Sequence, residues 1–123
     1  MVGAWISANK DENDREIKGL IQLAKDGLVD IAVVGNEALL REELTESEIL
    51  IYINKVKQNI PKHIPVTYVD AYYIFNEYPA LIEACDIISI NCYPFWEGSP
   101  IEEASAYVKT MYQLIKNQSK DKP

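Results

Sequence analysis

Cysteine is scarce in this chain of 123 residues, with only Cys85 and Cys92. Cys92 closes the apolar run Asp86-Ile87-Ile88-Ser89-Ile90-Asn91. Extended at about 3.3 Å per residue, that run sets the two thiols on the order of 20 Å apart, which excludes a disulfide between them and reads as two buried thiols. Positive charge is also short, with 12 Lys and Arg against 19 Asp and Glu for a net charge of -7. An acidic chain without a basic stripe repels phosphate backbones, so nucleic acid is not an expected partner. No apolar run approaches the ~20 residues that span a bilayer, and no membrane partner is expected. His63 is the one histidine; without a second His, a CxxC or an HExxH, it reads as a surface residue and no metal site is expected. GxGxxG and P-loop patterns are missing too, so no cofactor is expected. Met1 to Ile6 shows neither a basic n-region nor a long apolar h-region, so no signal peptide is read there and the compartment stays open. Five glycines and six prolines are too few for a collagen-like or disordered chain.

What the sequence does contain is one alternation, repeated. Val2 to Ser7 suits a strand, and Asp11 to Asp26 carries Ile17, Leu20, Ile21 and Ala24 at helical spacing before Gly27. Asp30 to Gly35 is β-branched and nearly all apolar, as a parallel strand covered on both faces would be. Thr45-Glu46-Ser47-Glu48 has the form of a capping box, ahead of Ile49, Ile53, Val56 and Ile60 on one helical face. Val66 to Asp70 reads as the third strand, Pro79 to Ala84 as a short helix and Asp86 to Asn91 as the fourth strand. Ser99-Pro100-Ile101-Glu102 reads as a second capping box, leading a helix with Tyr107, Val108, Met111, Tyr112 and Ile115 as its stripe. The polar tail, 117–123, is expected to fray. Four units of about 31 residues match the ~250 residues of a (β/α)8 barrel, so the expected fold is α/β, half of a TIM barrel with a parallel sheet, in a single incomplete segment over 1–123. An open doubly wound sheet would carry a glycine-rich turn after its first strand, where Ala8-Asn9-Lys10-Asp11 stands instead.

In such folds the chemistry sits at the C-terminal ends of the strands. Those ends hold Asn36-Glu37, Asp70-Ala71-Tyr72 and Asn91-Cys92-Tyr93-Pro94-Phe95-Trp96-Glu97. Amides, carboxyls and aromatic rings together suit a sugar: ring faces stack on aromatics, and hydroxyls pair with Asn, Asp and Glu. Glu37 directly follows a buried run, the place for a general acid, with Asn36 beside it to orient a hydroxyl; alternatively the two cap a helical stretch from Ala38 to Glu43. Phe95 and Trp96 lie in a loop between Pro94 and Gly98, which favours a cleft over the core. Glu97 reads equally as a substrate contact or a solvated acid, and Asp70 and Tyr72 equally as site residues or turn caps. Along the fourth strand, Ser89, Asn91 and Tyr93 alternate onto one side.

Val33-Val34-Gly35-Asn36-Glu37-Ala38 resembles the VGNE segment of family 17 glycoside hydrolases, the β-1,3-glucanases and their bacterial relatives. Asn91 to Gly98 is similar to the family's N-x-Y-P-F segment, and Val66 to Tyr72 falls between them in the right order. The resemblance implies strands three to six of that barrel. It also implies a retaining mechanism with Glu37 as acid/base and a polysaccharide or oligosaccharide substrate of β-glucan type, for which the strand-end residues Asn36, Asp70, Tyr72, Asn91, Tyr93, Phe95, Trp96 and Glu97 are the candidate contacts. The family's nucleophile, a Glu in an E-T-G-W-like segment of the seventh strand, has no match here. The chain then reads as a fragment ending before its nucleophile, inactive alone. The rival reading is a non-catalytic carbohydrate-binding or scaffold domain on the same fold. Two open sheet edges, and loss of cover over Ile31 to Val34 and Ile87 to Ile90, lead to an expectation of self-association or of helices shifted to cover the sheet.

Overall fold

The computed structural model describes residues 1–123. Four parallel strands, β1 (Val2–Ala4), β2 (Ala32–Asn36), β3 (Val66–Ala71) and β4 (Ser89–Asn91), form one sheet in the order β1-β2-β3-β4. The order never reverses, so there is no switch point of the doubly wound kind, and each crossover steps to the next strand as in a barrel wall. Five helices intervene or follow: α1 (Lys10–Lys25), α2 (Glu46–Asn59), α3 (Tyr72–Glu77), α4 (Pro79–Ala84) and α5 (Ala104–Gln118). None is long and apolar enough to cross a membrane.

The core lies between the sheet and the helices. Ala4, Ala32, Val34, Val66 and Tyr68 point from the strands into one buried cluster with Ile17, Leu20 and Ala24 of α1 and Ile49, Ile53 and Val56 of α2. The opposite, concave face carries Gly3, Val33 and Thr67, set level by the strand register, and Ser89 of β4, level with Val69. Thr67 and Ser89 join their hydroxyls across β3 and β4 at 3.0 Å.

Local signals explain most element boundaries. Asn9 caps α1, its Oδ1 accepting from the Glu12 amide at 3.3 Å. The Thr45–Glu48 capping box forms in both directions, at 3.3 and 3.0 Å. Buried Asn13 accepts from the Ser7 amide at 2.8 Å and donates to the Ser7 carbonyl at 2.7 Å, fixing the turn between β1 and α1.

Several expectations are corrected. β1 ends at Ala4, not Ser7. β4 is three residues long, because Asp86 meets β3 through its carboxylate on the Val66 amide (2.9 Å) and the Ile88 amide donates to the Pro123 carbonyl (2.8 Å). The stretch from Ala38 to Glu43 is a series of turns, not a helix. The Ser99 capping box does not form: Pro100 takes the cap position of a 3-10 turn over Ile101–Glu103, and α5 starts at Ala104. In the α5 stripe only Ile115 is buried, and the main helix that α5 packs on is the short α3. The tail is tied down where fraying was expected. Lys122 Nζ donates to the carbonyls of Ile82, Glu83 and Cys85 at the end of α4 (2.8 to 2.9 Å), and Ser119 is buried. Cys85 is buried, but Cys92 is only half-buried. Cover over β2 is kept, with Ala32, Val33 and Val34 all buried and the helices on one side, whereas Ile87, Ile88 and Ile90 at the β4 edge are half-exposed.

Candidate active site

Glycine at position 35 decides how the end of β2 is aimed. Val33 pairs with Thr67 and Asn36 with Val69, so β2 spends three steps where β3 spends two. The extra residue is a β-bulge at Gly35, whose φ of +87 a side chain rarely adopts. The bulge turns Asn36 to the concave face level with Val69. Glu37 follows with a left-handed φ of 56, its amide donating to the Val69 carbonyl at 2.8 Å.

Glu37 then meets β4. Its Oε1 accepts from Asn91 Nδ2 at 2.7 Å and from the Tyr93 hydroxyl. Asn91 Nδ2 also approaches Asn36 Oδ1 at 3.4 Å. The hydrogen bond to Glu37, with burial second, pushes the Tyr93 hydroxyl up to about 12, so it stays a donor across the neutral range. Asn91 and Tyr93 therefore face Glu37, on the side that alternation predicts. Both donors converge on one carboxyl oxygen, and Oε2 has no hydrogen bond in the fold.

Beyond Tyr93 the loop forms an open aromatic shelf. Phe95 and Trp96 are 82% and 80% exposed and pack edge to face, 5.6 Å between ring centroids. Glu97 accepts from the Tyr72 hydroxyl at 3.0 Å, and Tyr107 stands edge-on to Tyr72 at 6.3 Å, which ties this loop to α3 and α5.

Over residues 1–123 the sequence matches the BtgE/BtgC glycoside hydrolase domain. The chain belongs to this family. A solved relative, the glycoside hydrolase family 17 β-1,3-glucanosyltransferase of Rhizomucor miehei, superposes with a TM-score of 0.83 at 30% identity, over 97% of this chain and 45% of that one. An active-site mutant of the same enzyme in complex with laminaritriose gives 0.84 at 30% identity and the same coverage. Among curated relatives, the probable glucan endo-1,3-β-glucosidase btgC of Aspergillus fumigatus is 28% identical over 124 residues, 91% of this chain but 18% of that protein. This BtgE/BtgC chain is thus a parallel α/β segment of a family 17 TIM barrel, spanning less than half the length of each of these relatives.

The site of the BtgE/BtgC segment departs from the sequence reading at Asp70. Expected to touch substrate, Asp70 is fully buried and both its oxygens are engaged, by the Tyr68 hydroxyl and by the Ala71 amide at 2.8 Å. Alternation puts it on the same face as Tyr68, the helix side of β3. The Tyr68 hydroxyl in turn accepts from the Leu39 amide at 3.0 Å, bracing the turn after Glu37. Burial raises Asp70 above the usual carboxylate range and lifts Tyr68 far above that of phenols.

Three site-building residues escaped the sequence reading. Tyr68 had a signal, an (i, i+2) relation to Asp70 on one strand. Gly35 had one as well, a glycine inside a strand pattern. Arg41 had none. Its guanidinium donates to the carbonyls of Asn36 and Ile6 (3.2 Å for Ile6) and to the Glu43 carboxylate at 2.7 Å, joining the ends of β1 and β2.

Proposed function

We propose that this chain is the acid/base-bearing part of a retaining glycoside hydrolase that acts on a β-1,3-glucan-type polysaccharide. In this reading Glu37 gives its proton to the glycosidic oxygen as the bond to the anomeric carbon breaks. A carboxylate from a part of the barrel outside these 123 residues forms the covalent glycosyl intermediate. Glu37 then takes a proton from the water that hydrolyses it. Asn36, Asn91 and Tyr93 set the carboxyl and contact the sugar at the bond being cut. Tyr93, Phe95 and Trp96 offer ring faces to neighbouring sugars.

The observation that supports the reading is the convergence of Asn91 and Tyr93 on Oε1 of Glu37, which fixes the carboxyl plane and leaves Oε2 free to hold the transferred proton. Neither remaining acid suits the nucleophile's role. Asp70 is buried with its oxygens engaged, and Glu97 is held by Tyr72. This 123-residue chain should therefore release no sugar from laminarin-type glucan. In a protein carrying the whole barrel, Glu37→Gln should abolish hydrolysis of unactivated glucan. Substantial activity in that variant would remove Glu37 from the mechanism. The exposure of Phe95 and Trp96 also favours a second reading, a carbohydrate-binding domain without turnover. That reading prevails if the whole-barrel protein binds glucan, never cleaves it and is indifferent to Glu37→Gln.

A further inference from the structure

Trp5 stands just past β1, and the groups around it come from the segment that carries Glu37. Ala4 and Ile6 on either side of it are buried in the helix layer, so alternation turns Trp5 to the concave face, where it is 54% exposed. One face of the indole is taken: Arg41 Cζ lies 4.4 Å from the ring centroid. That guanidinium is held in place by its bonds to the carbonyls of Ile6 and Asn36 and to the Glu43 carboxylate. Asn36 is peptide-bonded to Glu37, so the same clamp fixes the indole relative to the carboxyl. An aromatic ring with a cation on one face and solvent on the other is a ready stacking surface, and its rigidity lowers the ordering cost of binding.

We propose that Trp5 is a sugar-stacking residue on the opposite side of Glu37 from Tyr93, Phe95 and Trp96, so that a glucan chain crosses the strand ends from β1 to β4 with Glu37 beneath it. This rests on the reading of the site as glucan-binding. The strand order sets the direction. β1 lies one strand spacing, about 4.8 Å, from β2 on one side, and β4 lies two spacings away on the other. Arg41 is a positioning residue in this arrangement: it holds the indole and needs no contact with sugar.

The chain has two tryptophans, Trp5 and Trp96, which makes the test direct. Labelled with 5-fluorotryptophan, it gives two fluorine resonances, assigned with Trp5→Phe and Trp96→Phe and followed while laminaritriose is added to millimolar concentration. The expected result is that both resonances move with one shared dissociation constant. Trp5→Ala should weaken binding roughly three- to tenfold, and Trp5→Tyr should recover most of the loss. Arg41→Lys keeps the charge and loses the fork; it should reduce the Trp5 response while the Trp96 shift persists, and two unchanged shifts would overturn the positioning role. If Trp96 moves and Trp5 stays still at saturation, glucan binding stands and the Trp5 proposal falls. If neither moves, the glucan reading falls and the Trp5 proposal with it.

Discussion

Gly35→Ala tests whether the bulge at the end of β2, from which Glu37 projects, has room for any residue but glycine. A Cβ at Gly35 would lie 2.6 Å from Ile6 Cγ1, 2.8 Å from Ile6 Cδ1 and 3.3 Å from Tyr68 Cε2. Ile6 is fully buried in the core, so it cannot move aside into solvent. Two costs then add: about 1–2 kcal/mol for a side chain on left-handed backbone, and about 1–3 kcal/mol for overpacking. The sum, about 2–5 kcal/mol, is a large share of the roughly 5–15 kcal/mol that holds a domain together. Gly27 isolates the first cost. Its φ is +76 and nothing lies within 4 Å, so Gly27→Ala should lose only about 1–2 kcal/mol. Gly19, inside α1 with open space around it, should gain about 0.5–1 kcal/mol as alanine. Urea unfolding followed by circular dichroism compares the three at a common slope. A Gly35→Ala midpoint no lower than that of Gly27→Ala would refute the packing argument.

The remaining predictions concern Asp70, the tail and the sheet edges. Burial raises the Asp70 carboxyl above its ordinary 3.8, so the folded chain binds a proton more tightly than the unfolded one. Stability then falls as pH rises from about 3.8 through the raised value, and is level beyond it. Asp70→Asn should erase that segment of the stability profile, and an unchanged slope would show that another group sets it. Lys122→Ala removes a cation and three donors from the end of α4 and should cost about 1–2 kcal/mol by urea midpoint. Lys120→Ala, which breaks an exposed pair with Glu83, should change little, and equal losses would deny Lys122 its special place. With β1 and β4 both open edges, light scattering should show a mass that rises with concentration, and a flat monomer would argue against association.

The alternation of strands and helices was legible because each long element carries its own periodicity and caps. Thr45 and Glu48, or Ile17, Leu20 and Ala24, need no tertiary information to announce a helix. Glu37, Asn91 and Tyr93 were legible as strand-end residues because alternation and position place them without contacts. What failed is what depends on packing. The six residues of α3 carry three aromatics and no side-chain cap, and they become helical where Ile74 and Phe75 bury against the core. The tail looks polar, yet Lys122 finds carbonyls of a segment nearly forty residues earlier in the chain. Asp70 looked like a strand-end acid facing substrate; one step of alternation put it on the other face, where Tyr68 engages it. Arg41 was invisible because the contacts that join the ends of β1 and β2 through it are to backbone carbonyls, which no sequence pattern marks.

These long-range contacts also join stability to the site. Glu37 holds a backbone conformation that costs a non-glycine residue about 1–2 kcal/mol, offset by its N–H donating to the Val69 carbonyl and by the Arg41 amide donating to its own carbonyl at 2.9 Å. Its side chain is oriented only by donors from the end of β4, which follow it by 54 and 56 residues. That strand is short and half-exposed, so it contributes little burial of its own. What keeps it in place is the ladder to β3, the Thr67–Ser89 hydroxyl pair and the Ile88–Pro123 hydrogen bond. The last of these comes from the tail that Lys122 anchors. A carboxyl must be held in one plane to transfer a proton along one line, so the geometry at Glu37 depends on β4 staying docked. That docking depends in part on residues 119–123, on the far side of the sequence from Glu37.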